Sequence, residues 1–127
     1  MSAISAEIRQ FVMDNIDSVA QLEALLLLRE GVGKAWKPSA VARRLYIQPR
    51  VAAEVLRTLH ERGLIVLADP DAPAYKYGPT TPERVRLVED LATTYGKQLV
   101  AITQLIHAKA SGNVHRFADA FRLRKDK

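Results

Sequence analysis

The sequence contains no cysteine. Disulfides, thiolate-bound zinc and a cysteine nucleophile are thereby removed together. Long apolar runs are missing too: none exceeds the length of Ala24 to Leu28, far shorter than the ~20 residues that span a bilayer. The N-terminal stretch MSAISAEIRQFVMDNID lacks the basic start, apolar run and cleavage site of a secretory signal, so a soluble, cytoplasmic protein is expected. Histidine occurs only at His60, His107 and His115, in no metal-ligating spacing. Gly31 and Gly33 lack the further glycines of a phosphate-binding loop, and no serine, histidine and aspartate share a nucleophile context. The expectation is a binding module with no metal, no cofactor and no catalytic residue, not an enzyme.

What is present suits a folded domain. The 127 residues are 48% hydrophobic and 26% charged, enough to bury one core without a metal or disulfide staple. The net charge of +5 is unevenly spread. Residues 1–33 carry two Arg against five acids, and 34–68 carry seven Lys or Arg against two Glu. Residues 69–110 balance, whereas 111–127 carry five bases against two acids. Positive charge in the middle and at the end is compatible with a phosphate backbone as partner.

Periodicity divides the chain into 1–17, an N-terminal helix; 18–80, a compact unit; 81–110, one long helix; and 111–127, a basic tail. Ile4, Ile8, Phe11 and Val12 place a helix at about Ala3 to Met13. Ser18 and Gln21 form a capping-box pattern for a second helix ending at Glu30. Leu22, Leu25, Leu26, Leu27 and Leu28 point several ways around that helix, so it is the expected core. Pro38 and Pro49 each suit the first turn of a short helix, with Ile47 and Gln48 between them, and Gly63 suits a left-handed stop. A helix-turn-helix is expected over Pro38 to Arg62. The period then changes: Leu64 to Ala68 and Ala74 to Tyr77 read as strands around the turn-rich Asp69 to Pro73. Helix, helix-turn-helix and hairpin follow the winged-helix order, giving a mainly α fold with a small β-hairpin.

The leucine-rich first helix, Ala42-x-x-Leu45, Leu59-x-x-x-Gly63-Leu-Ile and the hairpin, all within residues 18–80, resemble the DNA-binding core of bacterial winged-helix transcription regulators of the MarR and PadR type. The resemblance implies a third helix that enters the major groove of double-stranded DNA, a wing that touches phosphates, and often dimerisation through a long helix after the wing. Carried onto this chain, it makes Gln48, Arg50, Ala53, Glu54 and Arg57 the groove-facing candidates. Helix geometry agrees, because burying Ala52, Val55, Leu56 and Leu59 turns Arg50, Glu54, Arg57 and Glu61 outward. Arg43, Arg44 and Lys76 suit phosphate contacts, and the arginines of the third helix suit base readout.

Two features oppose DNA. Arg50 and Glu54, and Arg57 and Glu61, stand at i,i+4 and can neutralise each other, and the wing tip carries Asp69 and Asp71. The alternative is therefore a winged-helix protein–protein interaction adaptor that does not bind DNA specifically. Trp36 reads either as a core plug or as a base-stacking residue. Along the long helix, Val88, Tyr95 and Ile102 repeat at seven residues, as do Ala92, Leu99 and Ile106, with Leu91 and Leu105 beside them. This stripe packs either on its own domain or against a second copy, and its length favours a homodimer. In the tail, Phe117, Phe121 and Leu123 among basic residues suit docking to a protein partner, a swapped arm, a phosphate contact or packing on the domain itself.

Overall fold

The computed structural model describes residues 4–110, so the tail bearing Phe117, Phe121 and Leu123 lies outside the described residues. The order is α1 (Ala6–Asn15), α2 (Val19–Glu30), α3 (Pro38–Leu45), α4 (Pro49–Glu61), β1 (Ile65–Asp69), β2 (Ala74–Tyr77), α5 (Pro82–Lys97) and α6 (Leu99–Ala110). This is the winged-helix arrangement of a helix-turn-helix followed by a hairpin. No helix among the described residues is long and apolar enough to cross a membrane.

Local chemistry sets the helix starts. Ser5 caps α1 by accepting a hydrogen bond from the Ile8 N–H (3.1 Å), which begins that helix a few residues after its expected start at Ala3. Ser18 caps α2 by accepting from the Gln21 N–H (3.1 Å). The Gln21 Oε1 reaches back to accept from the Asp17 N–H (2.7 Å), one residue beyond the cap. Thr81 accepts from the Arg84 N–H (3.1 Å) at the start of α5. Pro38 and Pro49 occupy the first turns of α3 and α4, where a missing N–H costs nothing.

α2 supplies the centre of the core. Leu22, Leu25 and Leu28 are fully buried, packed with Val12 and Ile16 from the N-terminal side and with Leu56 and Leu59 from α4. Each such side chain contributes about 1.5–3 kcal/mol relative to exposure. The hairpin is antiparallel, with Ile65 opposite Tyr77 and Leu67 opposite Tyr75, and an irregularity between Leu67 and Asp69. Beyond the hairpin, Trp36 and Tyr75 exchange both backbone hydrogen bonds (2.7 and 2.8 Å), so the segment linking α2 to α3 pairs with the wing.

The single helix expected over 81–110 is corrected: it is two helices, interrupted at Gln98, whose φ of −133° and ψ of 52° lie outside the helical range. Gly96, weak in a helix interior and with open space where a Cβ would stand, precedes the break. The interruption lets both halves fold over α1 and α2, and the expected seam turns inward. Val88, Leu91, Ile102 and Ile106 are fully buried in the chain's own core. Ala92, Tyr95 and Leu105 are half-buried, while Leu99 (53% exposed) faces outward together with its neighbour Val100 (64%).

Candidate nucleic-acid interface

The α3–α4 turn is the first determinant of the site. α3 ends at Tyr46, whose N–H donates to the Ala42 carbonyl and whose φ of 59° and ψ of 44° are left-handed. The Ile47 N–H also donates to Ala42 (3.1 Å), tightening the reversal before Gln48 opens α4. Gln48 makes no side-chain cap, so its amide stays exposed beside the first turn of α4.

α4 is strongly two-sided. Ala52, Val55, Leu56 and Leu59 are buried, and Arg50, Ala53, Glu54 and Arg57 are exposed on the other side, as the helical spacing predicts. Arg43 and Arg44 are exposed on the last turn of α3, and Lys76 points outward from β2 between the half-buried Tyr75 and Tyr77. His60 near the end of α4 packs its ring against Tyr75 (centroids 5.8 Å), which ties helix and wing together.

The two ion pairs expected along α4 do not both form. Arg57 pairs with Glu61 (3.2 Å), whereas Arg50 and Glu54 have no ion pair among the described residues. The other ion pairs all lie away from the helix-turn-helix face: Arg29 with Glu89, Arg62 and Lys109 with Asp17, and Arg86 with both Glu7 and Asp90. On this face Lys37, Arg43, Arg44, Arg50 and Lys76 make no ion pair among the described residues; Arg9, Lys34, Arg84 and Lys97 elsewhere make none either. At the wing tip, the Asp69 Oδ1 accepts from the Asp71 N–H (3.0 Å) and the Ala72 N–H (3.4 Å), so this carboxylate shapes the turn.

Trp36 is buried, in agreement with the core-plug reading. Its ring also organises charge: the Lys34 Nζ sits 4.1 Å from its centroid and the Arg44 Cζ 5.8 Å. Sequence reasoning left Lys34 out of the site. The only signal for it was its place two residues before a tryptophan, since the pairing of this segment with the wing is a long-range event.

Two clefts flank the face. One of about 250 Å³ lies beside Trp36, Lys34 and Arg44. A larger one of about 360 Å³ separates α2 from α5, where the Tyr95 hydroxyl donates to the Glu23 carboxylate (3.2 Å). Tyr77, beneath the Arg29–Glu89 pair, has its phenol pushed up to about 12, by burial first and then by the Glu89 charge. Among the described residues no group of three metal-ligating side chains comes together; His60 and His107 lie exposed on α4 and α6, and His115 lies outside the described residues.

No family model and no curated protein sequence matches the chain. Solved structures do resemble it. A double mutant of ZitR from Lactococcus lactis aligns at 21% identity and a TM-score of 0.52, covering 84% of this chain and 74% of that one. The multiple antibiotic-resistance repressor MarR from Listeria monocytogenes aligns at 15% identity and a TM-score of 0.51, covering 95% and 82%. The chain thus has the MarR type of winged-helix fold.

Proposed function

We propose that this chain is a DNA-binding transcriptional regulator that acts as a homodimer in the cytoplasm. The observation that carries the reading is the segregation of charge. The helix-turn-helix and wing present Arg43, Arg44, Arg50 and Lys76 without ion-pair partners among the described residues, while the pairs outside this face engage Glu7 of α1, Asp17 between α1 and α2, and Glu89 and Asp90 of α5. Unpaired cations spread over two helices and a hairpin match a phosphate backbone. In this reading α4 lies in the major groove, Arg50 and Arg57 read base edges, Gln48 and Glu54 contact neighbouring bases, Ala53 permits close approach, and Arg43, Arg44 and Lys76 hold phosphates. The Arg57–Glu61 bridge is solvent-exposed, worth at most about 1 kcal/mol, and opens readily on DNA. A two-fold dimer would set two α4 helices on successive half-sites. Its contact is proposed around Leu99 with Ala92, Tyr95 and Leu105, because the other members of the stripe are consumed by the core. The structural likeness to a repressor from Listeria monocytogenes supports the same reading.

The adaptor reading rests on one observation, the exposed carboxylates Asp69 and Asp71 at the wing tip, which repel phosphates and suit a basic protein surface. Phe117, Phe121 and Leu123 would belong to such docking. Gel-shift titration with double-stranded genomic fragments over a salt series separates the two: DNA binding weakens steeply with salt, and an adaptor shifts no fragment.

A further inference from the structure

Tyr46 stands apart from the other tyrosines. Tyr75, Tyr77 and Tyr95 are half-buried, whereas Tyr46 is 94% exposed. Its hydroxyl has no hydrogen-bond partner among the described residues, and its ring packs against no other aromatic ring. Its backbone is also the one non-glycine left-handed position among the described residues, at φ 59°. Left-handed backbone brings the Cβ of an L-residue against its own carbonyl, so such helix ends usually carry glycine or asparagine. The fold thus holds a bulky aromatic where its backbone is strained and where, among the described residues, its side chain makes no hydrogen bond and buries almost none of its surface.

Its position supplies a use. Tyr46 is the turn residue between Arg43 and Arg44 at the end of α3 and Gln48 and Arg50 at the start of α4, at the edge of the face that presents unpaired cations. We propose that Tyr46 is a DNA contact: its ring packs on a deoxyribose beside the groove occupied by α4, and its hydroxyl donates to the adjoining phosphate. The proposal rests on the DNA-binding reading above and adds a contact that none of the charged residues supplies. A sugar–phosphate contact positions the helix without reading sequence. It therefore contributes equally at every site, and being uncharged it adds nothing to the salt dependence.

The test compares Tyr46→Asn, Tyr46→Gly, Tyr46→Phe and Arg50→Ala in the full chain, by melting and by titration of cognate and unrelated double-stranded DNA over a salt series. Asn and Gly tolerate left-handed backbone, so both variants are expected to melt no lower than the wild type. They are expected to bind cognate and unrelated DNA more weakly by the same factor, about five- to tenfold, with an unchanged salt slope. Phe keeps most of the affinity. Asn and Gly variants that bind as tightly as the wild type would overturn the contact, and weakened binding by Arg50→Ala in the same series would show the DNA reading intact. A loss confined to cognate DNA would overturn the sugar–phosphate placement. A wild type that binds no DNA would overturn both the contact and the reading on which it rests.

Discussion

The Asp17 Oδ2 lies 2.7 Å from the Arg62 guanidinium, which ties the entrance of α2 to the end of α4. The same carboxylate receives Lys109 from α6 through Oδ1 (2.9 Å). Lys109 also donates to the Val12 and Ile16 carbonyls (3.3 and 3.0 Å), and Arg62 donates to the Asn15 carbonyl, so both cations close the C-terminal end of α1. One acid thus joins α1, α4 and α6.

This junction predicts an acid-sensitive stability. Burial pushes the Asp17 carboxyl up, but hydrogen bonds from Arg62 and then Lys109 outweigh it and hold the group below its ordinary value of 3.8. A carboxyl lowered on folding stabilises fully above its unfolded pKa, and that stabilisation disappears as pH falls through the folded value. Asp17→Asn should cost about 1 kcal/mol at neutral pH and show a shallower loss of stability than the wild type below about pH 5. Denaturant melts at stepped pH read this directly; parallel curves would contradict it.

Gly63 and Gly33 make a second, paired prediction. Both have positive φ, 77° and 89°, but a Cβ at Gly63 would stand 2.6 Å from the Arg84 guanidinium and 3.0 Å from the Thr80 Oγ1, whereas the space at Gly33 is open. Gly63→Ala should therefore cost about 1–3 kcal/mol, and Gly33→Ala less, because only the first also displaces Arg84 from the Arg62 carbonyl. Equal melts for the two variants would refute the difference.

The buried face of α4 carries the third prediction. Leu56 and Leu59 are fully buried against α2, so each change to Ala should destabilise by about 2–5 kcal/mol. Losses well under 1 kcal/mol in denaturant melts would contradict this packing.

Assembly separates by position on α6. Leu99→Asp with Val100→Asp alters exposed side chains and should leave a folded chain that sediments as a monomer, where the wild type sediments as a dimer. Ile102→Asp buries a charge in the core and should unfold the chain. A wild type that is monomeric through the micromolar range would remove the dimer.

Much of this fold was legible in local chemistry. Ser18, Pro38, Pro49 and Gly63 mark boundaries because caps, proline and left-handed glycine act within a few residues, and the α4 face follows from a 3.6-residue period. The break at Gln98 was not legible: a seven-residue repeat of apolar positions looks the same whether one helix carries it to a second copy or two helices fold it onto α1 and α2. The pairing of Trp36 with Tyr75 and the solitary exposure of Tyr46 depend on long-range packing, so neither leaves a pattern in the sequence. Of the two ion pairs that the spacing of α4 allows, the fold uses only Arg57–Glu61, and spacing alone could not choose between them.

The most direct test of the central claim is the affinity of the chain for double-stranded DNA across a salt series, with Arg44→Ala, Arg50→Ala and Arg57→Ala alongside. Binding is expected to fall steeply with salt. Arg44→Ala should weaken all sequences alike and reduce the slope by about one, whereas Arg50→Ala and Arg57→Ala should each cost about 1–3 kcal/mol at the cognate site and relax base preference. No retained DNA fragment at low salt, or unchanged affinity and selectivity in both α4 variants, would contradict it.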